Sequence, residues 1–567
     1  MRAARAIVDA TRSGGSVRQV TTPVGGFFGR IGAMVRPVIL ALVVLAGPAA
    51  ASDNLRLRLS QMTDPARMAL FEHTLGIEDA DLARDVRAAY AARGYAPVWT
   101  APESAALRGA LMAALDGAGQ QGLAPGRYDA AGLRAQARAI RHESDRAALE
   151  VALMAAFLGY ARDLSSGQIE PKKADSGIVR EIDRPDPAEL VAGLLAAPSP
   201  RRFLRDLIPA DPAYLTLLRE RLRLAAALDQ TPPAPVPAAS LAPGDSGAAV
   251  LALRDRLVAL GYLAPTRRGD YDGAMADAVR RLQVSAGLAA TGTATEATIK
   301  AANRPLSDRL ADITVAMERL RWMRGQPRDG RHIWVNIPDF TARLYDGDRL
   351  VFETVTVVGE NKPDHRTPEF SEMMTHMVVN PSWNVPHSIT VKEYLPKLRA
   401  NPSAAGHLQV IDRRGRVVPR DKVNFNAASF PYSLRQPPAA RNALGQVKFM
   451  FPNPWNIYLH DTPSRSLFKE AVRAYSHGCI RVEAPVDLAA ELLAPQSDDP
   501  RDLYRANLRG GAERSIPLDP PIPVHLVYFT AWPEQGEIIY RRDVYGRDDR
   551  VRAALVKAGV AFAGAGD

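Results

Sequence analysis

Ser476-His477-Gly478-Cys479-Ile480-Arg481 holds the only cysteine of the 567-residue chain. A second histidine, His460, stands upstream in Tyr458-Leu459-His460-Asp461. These types suit nucleophilic catalysis on a carbonyl. A thiolate is the reactive form of cysteine, and a nearby imidazole can take the thiol proton. Gly478 lets the backbone approach an incoming carbonyl, and the amides around Gly478 and Cys479 can form an oxyanion hole. A lone cysteine is by default a small buried hydrophobe. The spacing His-x-Cys alone shifts that reading little, and the complete string carries the argument.

The elements around these residues read as strands. His332–Ile337 and Thr341–Tyr345 alternate, with Asp346-Gly347-Asp348 as a hairpin turn between this pair and the next strand, Leu350–Val358. Thr375–Val379, Phe449–Phe451, Asn456–Leu459 and Cys479–Val482 continue the pattern. Pro485 opens a helix whose Leu488, Leu492 and Leu493 pack behind the cysteine. Between Pro386 and Gly445 the strands stop. Thr390–Arg399 reads as a short helix with Val391, Leu395 and Leu398 on one face, and a long polar loop follows. An insertion of that length inside a β domain points to a functional lid or a disordered excursion. The tail, Val524–Tyr528 and Glu537–Tyr540, reads as a last hairpin with Trp532-Pro533 at its turn.

Upstream the period is helical. Ser52 to Leu228 is rich in Ala, Leu and Arg, with stripes Leu82, Val86, Ala89, Tyr90 and Leu153, Phe157, Tyr160, Leu164. Gly94 stops the first of these helices. Residues 231–240 are a proline-rich, semi-rigid linker. In the unit 241–303, Gly244-Asp245-Ser246-Gly247 can cap a helix carrying Val250, Leu253, Leu257 and Leu260. Tyr271-Asp272-Gly273 turns into a second helix.

The string Ser/Thr-His-Gly-Cys-Ile/Val-Arg with an upstream histidine resembles the signature of the L,D-transpeptidase catalytic domain. The resemblance implies Cys479 as nucleophile and His460 as its base. It implies that Ser476, His477 and Gly478 shape the site and bind the reacting carbonyl. Arg481, Trp383, Asn442, Tyr458 and Arg435 would bind substrate. Asn380–Pro386 and Arg441–Gly445 resemble the family's segments flanking a substrate-capping subdomain, which favours a lid for the insertion at about 387–445. Tyr90–Trp99 and Gly122–Tyr128 resemble the helical scaffold domain of large Gram-negative members. The glycines, tyrosines and Leu282-Gln283 of 241–303 resemble a three-helix peptidoglycan-binding domain.

The expected architecture is multidomain α + β. It comprises a signal peptide (1–51), a helical scaffold (52–230), the linker, a peptidoglycan-binding domain (241–303) and a helical connector (304–329). A mostly-β catalytic domain (330–495) and a C-terminal β-hairpin extension (496–567) complete it. The family reaction implied is attack on a tetrapeptide stem, release of D-alanine, and transfer of the thioester to the side-chain amine of diaminopimelate in a second stem. Alternatives are a thiol L,D-carboxypeptidase, attachment of a wall-anchored protein, and a non-enzymatic wall-binding scaffold. The family resemblance also implies a carbapenem target.

No cofactor is expected. The chain lacks Cys-x-x-Cys and any pair of histidines at helix spacing, so metal hydrolysis has no ligand set. Ser466-x-x-Lys469 and Ser382-Trp383-Asn384 mimic elements of serine penicillin-binding enzymes, but in reversed order and without Lys-Thr/Ser-Gly. The net charge is +10. About half of it sits in residues 1–51, which hold six arginines and one aspartate. The mild remainder fits an anionic polymer such as the cell wall. No Lys/Arg run interleaves with aromatics, so nucleic acid is not an expected partner. Val38–Ala46 behind Arg30 and Arg36, followed by Ala49-Ala50-Ala51, reads as an export signal, with Met34 as an alternative start and an uncleaved anchor as the second reading. The expected location is the periplasm, on peptidoglycan stems and glycan, with other wall-synthesis proteins as further candidate partners. No membrane contact is expected beyond the signal. A single cysteine suits an oxidising compartment, because no internal disulfide can trap it.

Overall fold

The computed structural model describes residues 48–64 and 79–562. The apolar run Val38–Ala46 lies outside the described residues. Among the described residues no helix is long and apolar enough to cross a membrane.

The helical region is organised around one long helix, Glu143–Ser166, whose sides are almost all buried. The stripe Leu153, Phe157, Tyr160, Leu164 is part of that burial, as are Val86, Ala89 and Tyr90 of helix Ala80–Ala92. Glu150 lies within this core yet is fully buried. Its carboxylate accepts from the amides of Val98 (2.5 Å), Trp99 (3.0 Å) and Thr100 (2.7 Å) and from the Tyr90 hydroxyl (3.1 Å). Those donors compensate the cost of burying a charge and fix the Tyr90–Thr100 segment.

Helix Pro212–Leu228 leaves this core. Its Tyr214, Leu217 and Leu224 join Val250, Leu253, Leu257 and Leu282 in a second core. That core also takes in Leu310, Ile313 and Met317 of helix Leu306–Arg321 and Val527, Phe529 and Tyr540 from the far end of the chain. The three short helices are Ala248–Ala259, Gly273–Ser285 and Glu296–Asn303. Asp272 caps the second through the Met275 amide (2.9 Å). The first is not capped by a side chain, contrary to expectation: Gly247 stands at its N-cap, and Asp245 instead accepts from Ala242. Within the proline-rich linker Val236 is buried and pinned by both amide atoms of Asn303.

The β region begins with β1 (Arg331–Asn336), β2 (Thr341–Asp346), β3 (Arg349–Gly359) and β4 (Phe370–Val379). After an insertion come β9 (Val447–Met450), β10 (Leu459–His460), β11 (Ala474–Ser476), β12 (Ile480–Val482) and β13 (Arg514–Val527). Their order is β11-β3-β12-β10-β9-β4-β13-β1-β2, and β2 also pairs β3, so the sheet closes on itself. Closure leaves a continuous apolar interior and few free edges. Helix Pro485–Leu493 buries Leu488, Leu492 and Leu493 against it, at about 1.5–3 kcal/mol per side chain.

The insertion is not a structureless loop. It contains β5 (Trp383–Asn384), β6 (Gln409–Ile411), β7 (Val417–Val418) and β8 (Ser433–Gln436), in order β5-β8-β6-β7. Its own core includes Leu395, Leu398, Val410, Phe425 and Leu434. Strands of two to four residues are too short to show alternation, which hid them in the sequence. Val391 is exposed rather than aligned with Leu395 and Leu398. The Thr390–Tyr394 turn is a π-helix, which rotates Val391 off the face. Pro396, without an N–H, stands two residues after this turn.

The C-terminal reading is also revised. β13 is not half of a terminal hairpin: it lies inside the barrel between β4 and β1. The hairpin is β14 (Ala531–Glu534) with β15 (Glu537–Tyr540). Its turn is Gln535-Gly536, both at positive φ, and Trp532-Pro533 lies within β14. Helices Pro500–Leu508 and Arg547–Lys557 complete the region.

Candidate active site

β10 and β12 lie side by side and parallel, with Leu459 opposite Ile480 and His460 opposite Arg481. Side chains two apart on a strand share a face. This register therefore puts Tyr458, His460, Cys479 and Arg481 on one face, with Leu459, Ile480 and Val482 buried on the other. Cys479 stands one residue before β12, and the Ile480 amide bonds the Tyr458 carbonyl (3.0 Å). The strand expected over Asn456–Leu459 starts only at Leu459. Asn456 has φ +54°, and the Asn453 side chain accepts from the Trp455 and Ile457 amides to hold a turn there. That turn presents the Asn456 carbonyl to the thiol, whose Sγ donates to it at 3.5 Å.

The site rests in a neutral state. Burial pushes the Cys479 thiol up to about 11, against the opposing pull of Tyr458, through its backbone and its hydroxyl, and of the Arg481 charge. Burial, then the Arg481 charge, drives His460 down to about 3, while its bond to the Asp461 carbonyl opposes the shift. His460 Nδ1 lies 2.5 Å from that carbonyl. A neutral imidazole must donate there, which leaves Nε2 as the lone-pair nitrogen able to accept a proton. The Tyr458 and His460 rings meet edge-on at 5.7 Å.

The motif loop is braced from within. Ser476 Oγ donates to the Cys479 carbonyl (2.5 Å) and accepts from the Gly478 amide (3.1 Å). Gly478 has φ +116°, and a Cβ there would sit 3.1 Å from Ile457 Cδ1. The backbone conformation disfavours any side chain there, and Ile457 would also have to give way by a few tenths of an ångström. His477 reaches the insertion, with Nε2 2.5 Å from Glu393 Oε1, and its ring lies 4.2 Å from that of His365.

The five expected substrate groups divide accordingly. Tyr458 and Arg481 flank the thiol. Arg481 Nε is buried and makes no hydrogen bond among the described residues. Trp383 and Arg435 lie in the insertion's sheet, Trp383 against Tyr394 (6.3 Å) and Arg435 on Gln409 (3.1 Å). Asn442 is fully buried, and its amide is spent on the Pro437 carbonyl and the Leu444 N–H, so it shapes its own loop. Ser466 is exposed in the Arg465–Lys469 turn that joins His460 to Cys479. Sequence reasoning missed the Asn456 carbonyl, Glu393 and His365. None sits in a motif, and only the fold brings them to the loop.

Three family profiles match the chain. Residues 330–504 match "L,D-transpeptidase catalytic domain", residues 84–222 "Scaffold domain" and residues 246–302 "Putative peptidoglycan binding domain". A Haemophilus influenzae protein described as "Putative L,D-transpeptidase" is 38% identical over 231 residues, covering 40% of this chain and 46% of that protein. The matched region thus spans less than half the length of that relative. A solved L,D-transpeptidase structure (residues 123–326) from Xylanimonas cellulosilytica aligns at 17% identity over 52% of this chain and all of its own. Its TM-score is 0.15, too low to support any argument.

Proposed function

The chain is of the L,D-transpeptidase family by its catalytic, scaffold and peptidoglycan-binding domains, and from that premise we propose that it is a cysteine-dependent acyltransferase of peptidoglycan. The observation that supports this most is the shared strand face of Cys479, His460, Tyr458 and Arg481. His460 Nε2 takes the thiol proton as Sγ attacks the carbonyl before the terminal D-alanine of a tetrapeptide stem. The oxyanion forms beside the motif-loop amides. D-alanine then leaves with the proton held by His460, and a thioester remains. The side-chain amine of diaminopimelate on a second stem attacks the thioester, the carbon–sulfur bond breaks, and the amine's proton passes through His460 to the departing Cys479 sulfur, which leaves a 3-3 crosslink and the free thiol.

A neutral thiol beside a neutral imidazole is competent for this sequence, because the proton moves as the carbon–sulfur bond forms. Arg481 supplies a fixed positive charge beside the developing negative charge. Residues 246–302 would hold the enzyme on glycan, and the workplace is the periplasmic wall. Separation of muropeptide dimers from trimmed monomers after incubation with purified wall tests the reading. Trimmed monomers alone would make the protein a carboxypeptidase, and unchanged wall would make it a scaffold.

A further inference from the structure

The peptide joining Gly478 to Cys479 is anchored from behind. Its carbonyl accepts a hydrogen bond from Thr367 Oγ1 at 2.7 Å. In a trans peptide the C=O and N–H point in opposite directions, so fixing the oxygen fixes the line of the Cys479 N–H. Of the two amides flanking the loop glycine, that of Gly478 is occupied by Ser476 Oγ. The Cys479 N–H makes no hydrogen bond among the described residues. It is the one of the pair left for a developing oxyanion.

Thr367 is fully buried and held on every side. Its Oγ1 also accepts from the Gly359 amide (2.9 Å), at the end of β3. Its carbonyl accepts from Arg547 Nη2 (2.9 Å). Arg547 in turn lies near Glu369 Oε1 (3.4 Å) and Asp175 Oδ1 (3.6 Å). Tyr545 hydroxyl donates to the Gly359 carbonyl (2.5 Å), closing the cage. A hydroxyl has one proton, and here it is committed to Gly478 because the other contact is an N–H donor. A carbonyl that accepts a bond also polarises its peptide, which makes the N–H a stronger donor.

We propose that Thr367 is a positioning residue that aims and polarises the Cys479 amide as the oxyanion donor. The inference rests on the acyl-transfer reading above. Volume filling does not account for the contact, since valine would fill the same space without a proton to give.

The test compares two reactions of the same thiol in the full-length protein. Acylation by a carbapenem passes through an oxyanion, whereas alkylation by iodoacetamide does not. Thr367→Val should slow acylation by about 10- to 100-fold, near the range for a lost oxyanion donor, and leave alkylation within about twofold. Thr367→Ser keeps the hydroxyl and should acylate at the wild-type rate. Thr356→Val is the matched control: Thr356 is equally buried, but its Oγ1 has no partner among the described residues. It should leave both rates unchanged. Equal loss of both rates in Thr367→Val, unaltered acylation in it, or slow acylation in Thr367→Ser would each overturn the proposal. A wild type that alkylates but never acylates would sink the acyl-transfer reading and this inference with it.

Discussion

His477 Nε2 and Glu393 Oε1 lie 2.5 Å apart, and this contact ties the motif loop to the insertion. A second tie, Lys392 Nζ to Asp364 Oδ2 at 2.8 Å, joins the same π-helical turn to the segment below His365. The first pair is partly solvated and contributes at most about 1 kcal/mol, whereas the second is exposed on both sides. Glu393→Ala should therefore raise the alkylation rate of Cys479 by a bulky maleimide by no more than about fivefold, and raise iodoacetamide alkylation less. Equal effects on both reagents would show that the contact tunes the thiol and does not gate access.

Cys479→Ala should abolish transfer with the fold intact, because only a sulfur is lost. A carbapenem should leave its adduct on Cys479 of the wild type, read by intact mass and peptide mapping. An adduct on Ser466 would refute the cysteine mechanism.

His460→Ala should lower turnover by about 10²–10⁴-fold, as for loss of a general base. In the wild type the imidazole stays neutral down to about 3, so the activity profile should show no acid limb near 6.5. The sign for stability follows from the same depression. His460 and His525, both near 3, stay unprotonated when folded but take up protons near 6.5 when unfolded. Their contribution is complete above about 6.5 and is lost as pH falls toward 3. Denaturant melts from pH 7 to 4 would check it: His460→Ala should flatten the decline.

Deleting residues 241–303 should lower the melting temperature as well as retention on insoluble wall. Arg281 pairs Glu537 at 2.5 Å, Arg541 donates to the Ser285 carbonyl (3.4 Å), and Tyr540 is buried in the shared core. Removal uncovers that core. An unchanged melting temperature would show that the module is an appendage.

Much of the site was legible because its residues are adjacent in sequence or two apart on a strand. Cys479, Gly478 and Ser476 sit in one string, and Tyr458 with His460 in another. The strands of the barrel were legible where alternation ran for six residues or more, as in β1 and β3. The insertion's sheet was not, since β5 and β7 have two residues each. The neutral state of Cys479 was not legible either. It follows from burial, which a string of residue types does not express. Thr367 and Glu393 were invisible for a related reason: their partners lie 111 and 84 positions away.

The second core has a consequence for the order of assembly. Val250 and Leu282 pack in a cluster that Val527, Phe529 and Tyr540 complete. A chain emerging from its N-terminus therefore offers the small helical unit long before its last wall exists. The unit must wait, with apolar surface uncovered, until the barrel's final long strand and the hairpin after it arrive. Pairings at such sequence separation close slowly and leave intermediates open to aggregation. A nascent chain truncated before residue 527 should be held by chaperones and cleaved by proteases within 241–303, and the full chain should not.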